Sequence, residues 1–474
     1  MKQLSALDTI FFNMETHTTP MHVGCVAIYD ASSMPKGTFD FADVLNNFSI
    51  KMAELPVLRQ RRVNPPMGID YPYWISDPDF NLEYHLRQIA LPQPGNWEQL
   101  CERASAIQAE PLDLEKPPWE IYIVTGLNSI EGVPEGSFAL ISKMHHALID
   151  GVRGAQLLAA MHDLSPRMMP HKKARGAEPI VVERMPTGIE LLSRAALHLP
   201  TNIMAKAKAT SRYAMPLVRE MANKILDTEK HPWIPKTRFN HKVTGHRVFD
   251  AIDFKLNEIK ALRSLLPGST INDIMVAIIS GGLHHYLKGR SELPANSMNA
   301  MVPVNVMPGQ GMKQDGNHIS FMFPLIHSNE ADPVKRLTAI HFDNEKAKSN
   351  HKRHGGKMLM DSTHLLPTTL THMVLDKAVR YNLIDKIKPL INTVITNVPG
   401  PQLPLYHAGA KMLRFYGMGV CYDSMGLFHI IFSYNGVISI SFTSCQRMMP
   451  DQKAYVACLR RSFKELKKCL PVDK

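Results

Sequence analysis

Two hydrophobic periodicities alternate along this chain. MHVGCVAIYD (21–30) is apolar and β-branched around one glycine, which predicts a strand. FDFADVLNNFSIKMAEL (39–55) repeats its apolar residues at helical spacing and stops before Pro56. SFALISKM (137–144) returns to the strand pattern, with Phe138, Leu140 and Met144 on one face, and GAQLLAAMHDL (154–164) is helical. Between 165 and 240 the helix formers are broken by Pro170, Pro186, Pro200 and Pro216. That stretch predicts a helical connector with too many prolines for one continuous helix.

The second half repeats the mixture. HRVFDAIDFKL (246–256) predicts a strand, with a helix following from about Asn257. TINDIMVAIISGGLHHYLKG (270–289) predicts a strong helix capped by Thr270 or Asn272. NAMVPVNV (299–306), ISFMFPLI (319–326) and TVITNVPGP (393–401) predict strands, the last running into a turn. FHIIFSYNGVISISFTS (428–444) predicts a hairpin through Asn435-Gly436. A terminal helix, roughly 451–470, carries Lys464, Lys467 and Lys468 on a basic face. No tandem repeat or low-complexity tract is present. At 474 residues the chain exceeds the size of a single core, so two subdomains of mixed α/β structure are expected.

Charge changes the picture in one place. The net charge is +11, and residues 165–240 hold 14 Lys/Arg against six Asp/Glu, which is +8 of it. Lys172, Lys173, Arg175, Lys206, Lys208 and Arg212 belong to this group. Such a segment suits a phosphate-bearing partner or serves as a solvated connector, and charge alone leaves both readings open. The six cysteines form no CxxC pair, which argues against a zinc site or a disulfide scaffold and fits a reducing cytosol. The first twenty residues lack the apolar core of a signal peptide, and no run approaches the ~18 apolar residues of a membrane span.

The chemistry concentrates in ISKMHHALIDG (141–151). A strand ending in His145-His146 places at least one imidazole at a sheet margin, and an imidazole is the natural general base near neutral pH. Asp150 and Gly151 suit the start of the next helix, as a cap and as a tight turn. A second pair, His284-His285, lies mid-helix with no Asp-Gly behind it and reads as structural. By pattern alone the first pair is as readily a core pair as a catalytic one.

HHALIDG is an H-H-x-x-x-D-G motif, and several further stretches accompany it. These are LSALDTIFFNMETHTTPMHVG at the start, PLDLEKPPWEIYIVTGL (111–127), STINDIMVA, DGNHISFMFPL and TNVPGPQLPLY. Together they span nearly the whole chain, which resembles the bacterial wax ester synthase/diacylglycerol acyltransferase family within the chloramphenicol-acetyltransferase-like superfamily. The resemblance implies an α/β fold of two such subdomains, 1–164 and 241–474, joined by the basic connector 165–240. The active site would lie in a tunnel at their interface.

The resemblance also implies the activity. A fatty acyl group would pass directly from acyl-CoA, a substrate rather than a cofactor, to a long-chain alcohol or a diacylglycerol. No metal and no covalent intermediate are expected. His146 would act as base, His145 would orient it, Asp150 would support the motif and Gly151 would shape its turn. Arg59, in LPVLRQRR, would pair with Asp150. Trp119, Asn272, Asn397 and Pro399 would contact substrate, although Trp119 follows Pro118 where the family has leucine, and a buried aromatic is the competing reading. GLFHIIFSY (426–434) also departs from the family's Asn and Thr after Gly-Leu. A cytoplasmic protein is expected, in peripheral contact with an anionic membrane or a lipid inclusion, binding no nucleic acid and no carrier protein. The alternatives are another hydroxyl or amine acceptor on the same fold, or a non-catalytic lipid-surface protein.

Overall fold

The computed structural model describes residues 1–52, 54–149, 151–167, 183–209, 234–305, 319–354 and 389–471. In the first half, β1 (Lys2–Gln3) and α1 (Ala6–Met14) lead into β2 (His22–Asp30) and α2 (Phe41–Met52). β3 (Gln60–Val63), β4 (Tyr73–Ser76), α3 (Leu82–His85), β5 (Leu86–Ala90) and α4 (Trp97–Ala109) follow, then β6 (Trp119–Thr125), β7 (Phe138–His145), α5 (Gly151–Ala160) and α6 (Gly188–Ala209). The second half holds β8 (Arg247–Lys255), α7 (Leu256–Ala261), α8 (Ile271–Lys288), β9 (Ala300–Asn305), β10 (Ile319–Met322) and α9 (Pro333–His354). It ends with β11 (Thr393–Pro399), β12 (Tyr406–His407), β13 (Ala410–Met418), β14 (Leu427–Tyr434), β15 (Val437–Cys445) and α10 (Gln452–Lys468).

Local chemistry accounts for several boundaries. Asn96 and Gln99 form a reciprocal capping box at the start of α4, and Thr270 and Asp273 do the same for α8, so Thr270 is the cap and Asn272 lies inside the helix. The β14–β15 turn has Asn435 at φ 45° and Gly436 at φ 82°, the two positive angles that a two-residue hairpin requires. α6 runs through Pro200, against the expectation of a break there. A proline removes one helical hydrogen bond without forbidding the helix to continue.

Two six-stranded mixed sheets carry the fold, ordered β12-β13-β2-β7-β6-β5 and β10-β9-β11-β14-β15-β8. A small sheet, β1-β4-β3, lies beside the first. On one face of the first sheet, Val26, Ile28, Val124 and Ile141 pack with Leu100, Ala104 and Ile107 of α4. On the other, Tyr29, Phe138, Leu140 and Met144 pack with Phe12 of α1 and Val44 and Phe48 of α2. The second sheet buries Ile395, Ile431, Ile440 and Phe442 against α8 and α10.

Strands cross the division between 1–164 and 241–474. β12 and β13 come from the second half yet extend the first sheet, where β13 runs antiparallel to β2 from Lys411 opposite Asp30 to Met418 opposite Gly24. Without β13 the long strand β2 would present an unpaired edge. α4 strengthens the join: Trp97 Nε1 donates to Asp250 of β8 at 2.8 Å.

Candidate active site

β7 ends at His145, and the backbone turns sharply after it. His145 N–H is bonded to the Pro118 carbonyl at 2.9 Å, His146 N–H to the Met21 carbonyl at 2.8 Å, and Leu148 N–H closes the turn on His145 O at 2.9 Å. The turn is thus fastened to the approaches of both neighbouring strands, β6 and β2. Gly151 is the first residue of α5.

His145 is fully buried, and its two ring nitrogens have distinct jobs. Nδ1 accepts from Ala147 N–H at 3.1 Å, so the ring proton sits on Nε2 and is donated to Glu15 Oε2 at 2.9 Å. Burial lowers its pKa, and the Glu15 hydrogen bond opposes that shift only in part. The ring stacks on Phe12 at 3.9 Å and 8°. His146 is half-buried and stacks on Phe11 at 4.2 Å and 17°. Successive phenylalanines of α1 therefore hold the successive histidines, while Glu15 at the end of α1 fixes the tautomer of the first.

The residues flanking His146, Met144 and Ala147 to Ile149, line one wall of a cavity of about 680 Å³. Leu55, Leu58, Trp74 and Leu157 make it largely apolar, and Lys2, Gln3, Ser5, Asp8, Gln60 and Gln156 supply polar side chains. This size and lining suit one alkyl chain and a few fixed hydrogen-bonding groups. All the lining residues belong to the first half. The cavity forms within that half, where α1, the 55–60 segment and α5 meet. Segments 306–318 and 355–388 of the second half lie outside the described residues.

The other sequence-predicted positions fall in different places. Asp150 lies outside the described residues, and with it the expected Arg59–Asp150 pair. The Arg59 guanidinium sits over the Phe80 ring at 4.9 Å, and its buried Nε has no hydrogen-bond partner among the described residues. Trp119 is corrected from a channel wall to a core residue. It is 1% exposed, donates Nε1–H to the Leu58 carbonyl at 2.7 Å and stacks on His85 at 4.4 Å. It is the first residue of β6 and is not among the residues that line the cavity.

Asn272 and Asn397, far apart in sequence, do meet: Asn397 Nδ2 donates to Asn272 Oδ1 at 3.2 Å at an exposed site. Pro399 is exposed at the end of β11, two residues on. Asp273 beside Asn272 is buried, accepting from Asn344 at 2.7 Å and from His341 Nδ1 at 2.9 Å. These hydrogen bonds outweigh burial and hold its carboxyl below the usual range. His284 and His285 are structural, donating to Ser328 O at 2.8 Å and pairing with Glu465 at 2.7 Å. Lys172, Lys173, Arg175 and Arg212 lie outside the described residues, as do the side chains of Lys206 and Lys208.

Sequence reasoning passed over Phe11, Phe12 and Glu15. Their signal was present, because FFNME places Phe12 and Glu15 three apart on one helix face. Only the fold shows what that face meets. Among the described residues no helix is long and apolar enough to cross a membrane, and no three His, Cys, Asp or Glu side chains gather as metal ligands.

Comparison with known proteins fits this geometry. Residues 4–275 match the wax ester synthase/diacylglycerol acyltransferase catalytic domain, and residues 315–467 match the family's C-terminal domain. A Mycobacterium tuberculosis protein named as a diacylglycerol O-acyltransferase is 29% identical over 99% of this chain and 91% of its own. The O-acyltransferase WSD of Acinetobacter baylyi is 28% identical over 95% and 93%. In fold, the chain is similar to the wax ester synthase/diacylglycerol acyltransferase of Marinobacter aquaeolei VT8, with a TM-score of 0.67, 24% identity and 99% of both chains covered. It is also similar to the trichothecene 15-O-acetyltransferase of Fusarium sporotrichioides, with a TM-score of 0.57, 12% identity and coverage of 98% and 94%. The two-subdomain, chloramphenicol-acetyltransferase-like architecture is thus the observed one. With both of its domains matched around the His145-His146 turn, the chain belongs to the wax ester synthase/diacylglycerol acyltransferase family.

Proposed function

We propose that this chain moves a fatty acyl group from acyl-CoA to the hydroxyl of a long-chain alcohol or a diacylglycerol, with His146 as general base. The observation that carries the reading is the placement of His146. It is half-buried on a turn braced by backbone hydrogen bonds and by Phe11, and its sequence neighbours Met144 and Ala147 to Ile149, though not His146 itself, line an apolar cavity. Family membership supplies the reaction class.

The chemistry follows from the acids involved. An alkanol does not ionise against an imidazole of pKa about 6.5, so the proton leaves as the oxygen attacks the thioester carbonyl. His146 takes that proton. The tetrahedral adduct then breaks its C–S bond, the sulfur departs as the weaker base, and His146 returns the proton to it, giving ester and free CoA. Neither a metal nor a covalent enzyme intermediate enters this balance. An apolar, water-poor site limits competing hydrolysis. In this reading the cavity takes one alkyl chain, Asn272 and Asn397 border the substrate path, and His145, Asp150 and Gly151 set the turn. Lipid substrates make a cytoplasmic protein in peripheral contact with a membrane or lipid inclusion part of the same proposal.

The test is thiol release and ester formation from palmitoyl-CoA with hexadecanol or dioleoylglycerol. His146→Ala should lower turnover by at least ~10³-fold while near-UV circular dichroism is unchanged, the loss of general-base assistance and more. An active His146→Ala enzyme would remove the assigned base. Thiol release without ester would indicate a thioesterase. Turnover with none of the acceptors would favour a non-catalytic lipid-surface role.

A further inference from the structure

α6 is apolar on two opposite sides. Leu191 and Ala195 turn inward and are buried. His198, on the same side, meets Asp70 at 2.9 Å, Tyr73 at 3.3 Å and Gln3 at 3.4 Å, which fastens the helix to the small β1-β4-β3 sheet. Ile189, Leu192 and Leu197 lie on the other side in solvent, Ile189 at 79% and Leu197 at 76% exposure. With Ala196 they form a stripe at helical spacing where a surface helix is ordinarily polar. The neighbouring loop repeats the pattern. Gly188 abuts Pro66, and the loop holds Met67 out at 81% exposure, with Ile69 and, before α6, Met185 also exposed. Met67 has φ 57°, a left-handed conformation that costs a non-glycine residue ~1 kcal/mol or more, so the backbone is strained to keep an apolar side chain in water.

We propose that this face, α6 with the 65–69 loop, docks on an anionic phospholipid bilayer, placing Met67, Ile189, Leu192 and Leu197 at the boundary of headgroups and acyl chains. Two observations select this occupant. Arg194 borders the stripe, Arg184 pairs with Glu190 beside it, and the surrounding segment carries +8 by sequence, a basic excess of the kind that favours anionic interfaces. Two copies of the chain meeting here would set two segments of the same net charge against each other. The helix that carries the stripe also packs beside the cavity, because Gln3 lines the cavity and contacts His198 on the inward side of α6. On the acyltransfer reading, a lipid chain taken up at this face would pass the inward side of α6 to reach the cavity. The cavity's part rests on the acyltransfer reading; the docking face does not.

The test is co-sedimentation of the full chain with vesicles of phosphatidylcholine alone or with phosphatidylglycerol added at roughly 30%. The wild type should sediment with the anionic vesicles. The triple variant Ile189→Glu/Leu192→Glu/Leu197→Glu should lose at least tenfold in bound-to-free ratio while its turnover of soluble octanoyl-CoA with octanol stays unchanged, which also reports folding. Equal sedimentation of wild type and variant overturns the proposal. So does a wild type that ignores vesicles but elutes as a dimer that the variant breaks, which would make the face a contact between copies. A wild type that sediments, lacks turnover with any acceptor and loses vesicle binding on substitution keeps the docking face and removes the acyltransfer reading instead.

Discussion

Glu15 and His145 show how one residue can be spent on positioning its neighbour. His145 is neutral, its proton is directed to Glu15, and its other nitrogen ties down the turn that carries His146. Glu15→Ala should leave that buried N–H unpaired and cost about 1–3 kcal/mol of stability by chemical denaturation. It should lower kcat more than it raises KM, and Glu15→Gln, which keeps an acceptor, should recover most of both. His429 gives a separate prediction about pH. It is fully buried between Thr393 and Tyr455, and burial pushes its pKa down to about 3. Below its ordinary 6.5 the unfolded chain binds a proton that the folded chain refuses, so stability falls with pH by about 1.4 kcal/mol per unit until about pH 3. His22 and His407, also near 3, add to the same slope. His429→Gln should therefore shrink the loss of unfolding free energy between pH 6.5 and roughly 4.5 by about 2 kcal/mol, measured by urea titration at both pH values.

Among the elements, β13 does the least expected work. It pairs with β2 along one edge while its face lies close against β14. Gly417 and Gly419 permit the approach: a Cβ at Gly417 would come within 2.7 Å of Ile430 Cδ1, and one at Gly419 within 2.2 Å of Phe428 Cδ1. Ser441 adds a hydrogen bond to the Gly417 carbonyl at 2.8 Å. Gly419→Ala cannot be absorbed by swinging a flexible tip, since the Phe428 ring itself is in the way. It should destabilise the protein by about 1–3 kcal/mol, read as a lower midpoint in chemical unfolding with an unchanged slope.

At the scale of the whole molecule, the exchanged strand makes the two halves one structure. A fragment ending at about residue 240 keeps β2 but loses β12 and β13, leaving β2 with an open edge and stripping Ala410 and Met412 from the core around Tyr29. Such a fragment should elute as aggregate on size exclusion. The full chain should unfold in a single calorimetric transition. Two separable transitions, or a monomeric folded fragment, would mean that the strand exchange is not what couples the halves.

Much of this was legible in the residues. β2, α2, β7, α8, the β14–β15 hairpin and α10 follow from periodicity and turn chemistry, because the spacing of apolar residues reports which face is buried. The His145-His146 motif and its companion stretches identified the family for a related reason: catalysis fixes both residue types and spacing. Periodicity reports burial but not the partner, so nothing in residues 410–418 announced a strand of the first sheet, and the polar helix α9 gave no strong amphipathic signal. Trp119 shows the same limit, since an indole in a core and one on a channel wall have the same letter. The one-dimensional pattern thus determined the elements, the two-part scale and the candidate motif, whereas the tertiary structure decided the strand exchange, the bracing of the histidines by α1 and the location of the cavity. Each of those depends on contacts between distant segments, whose free energy is settled only when the whole core is packed.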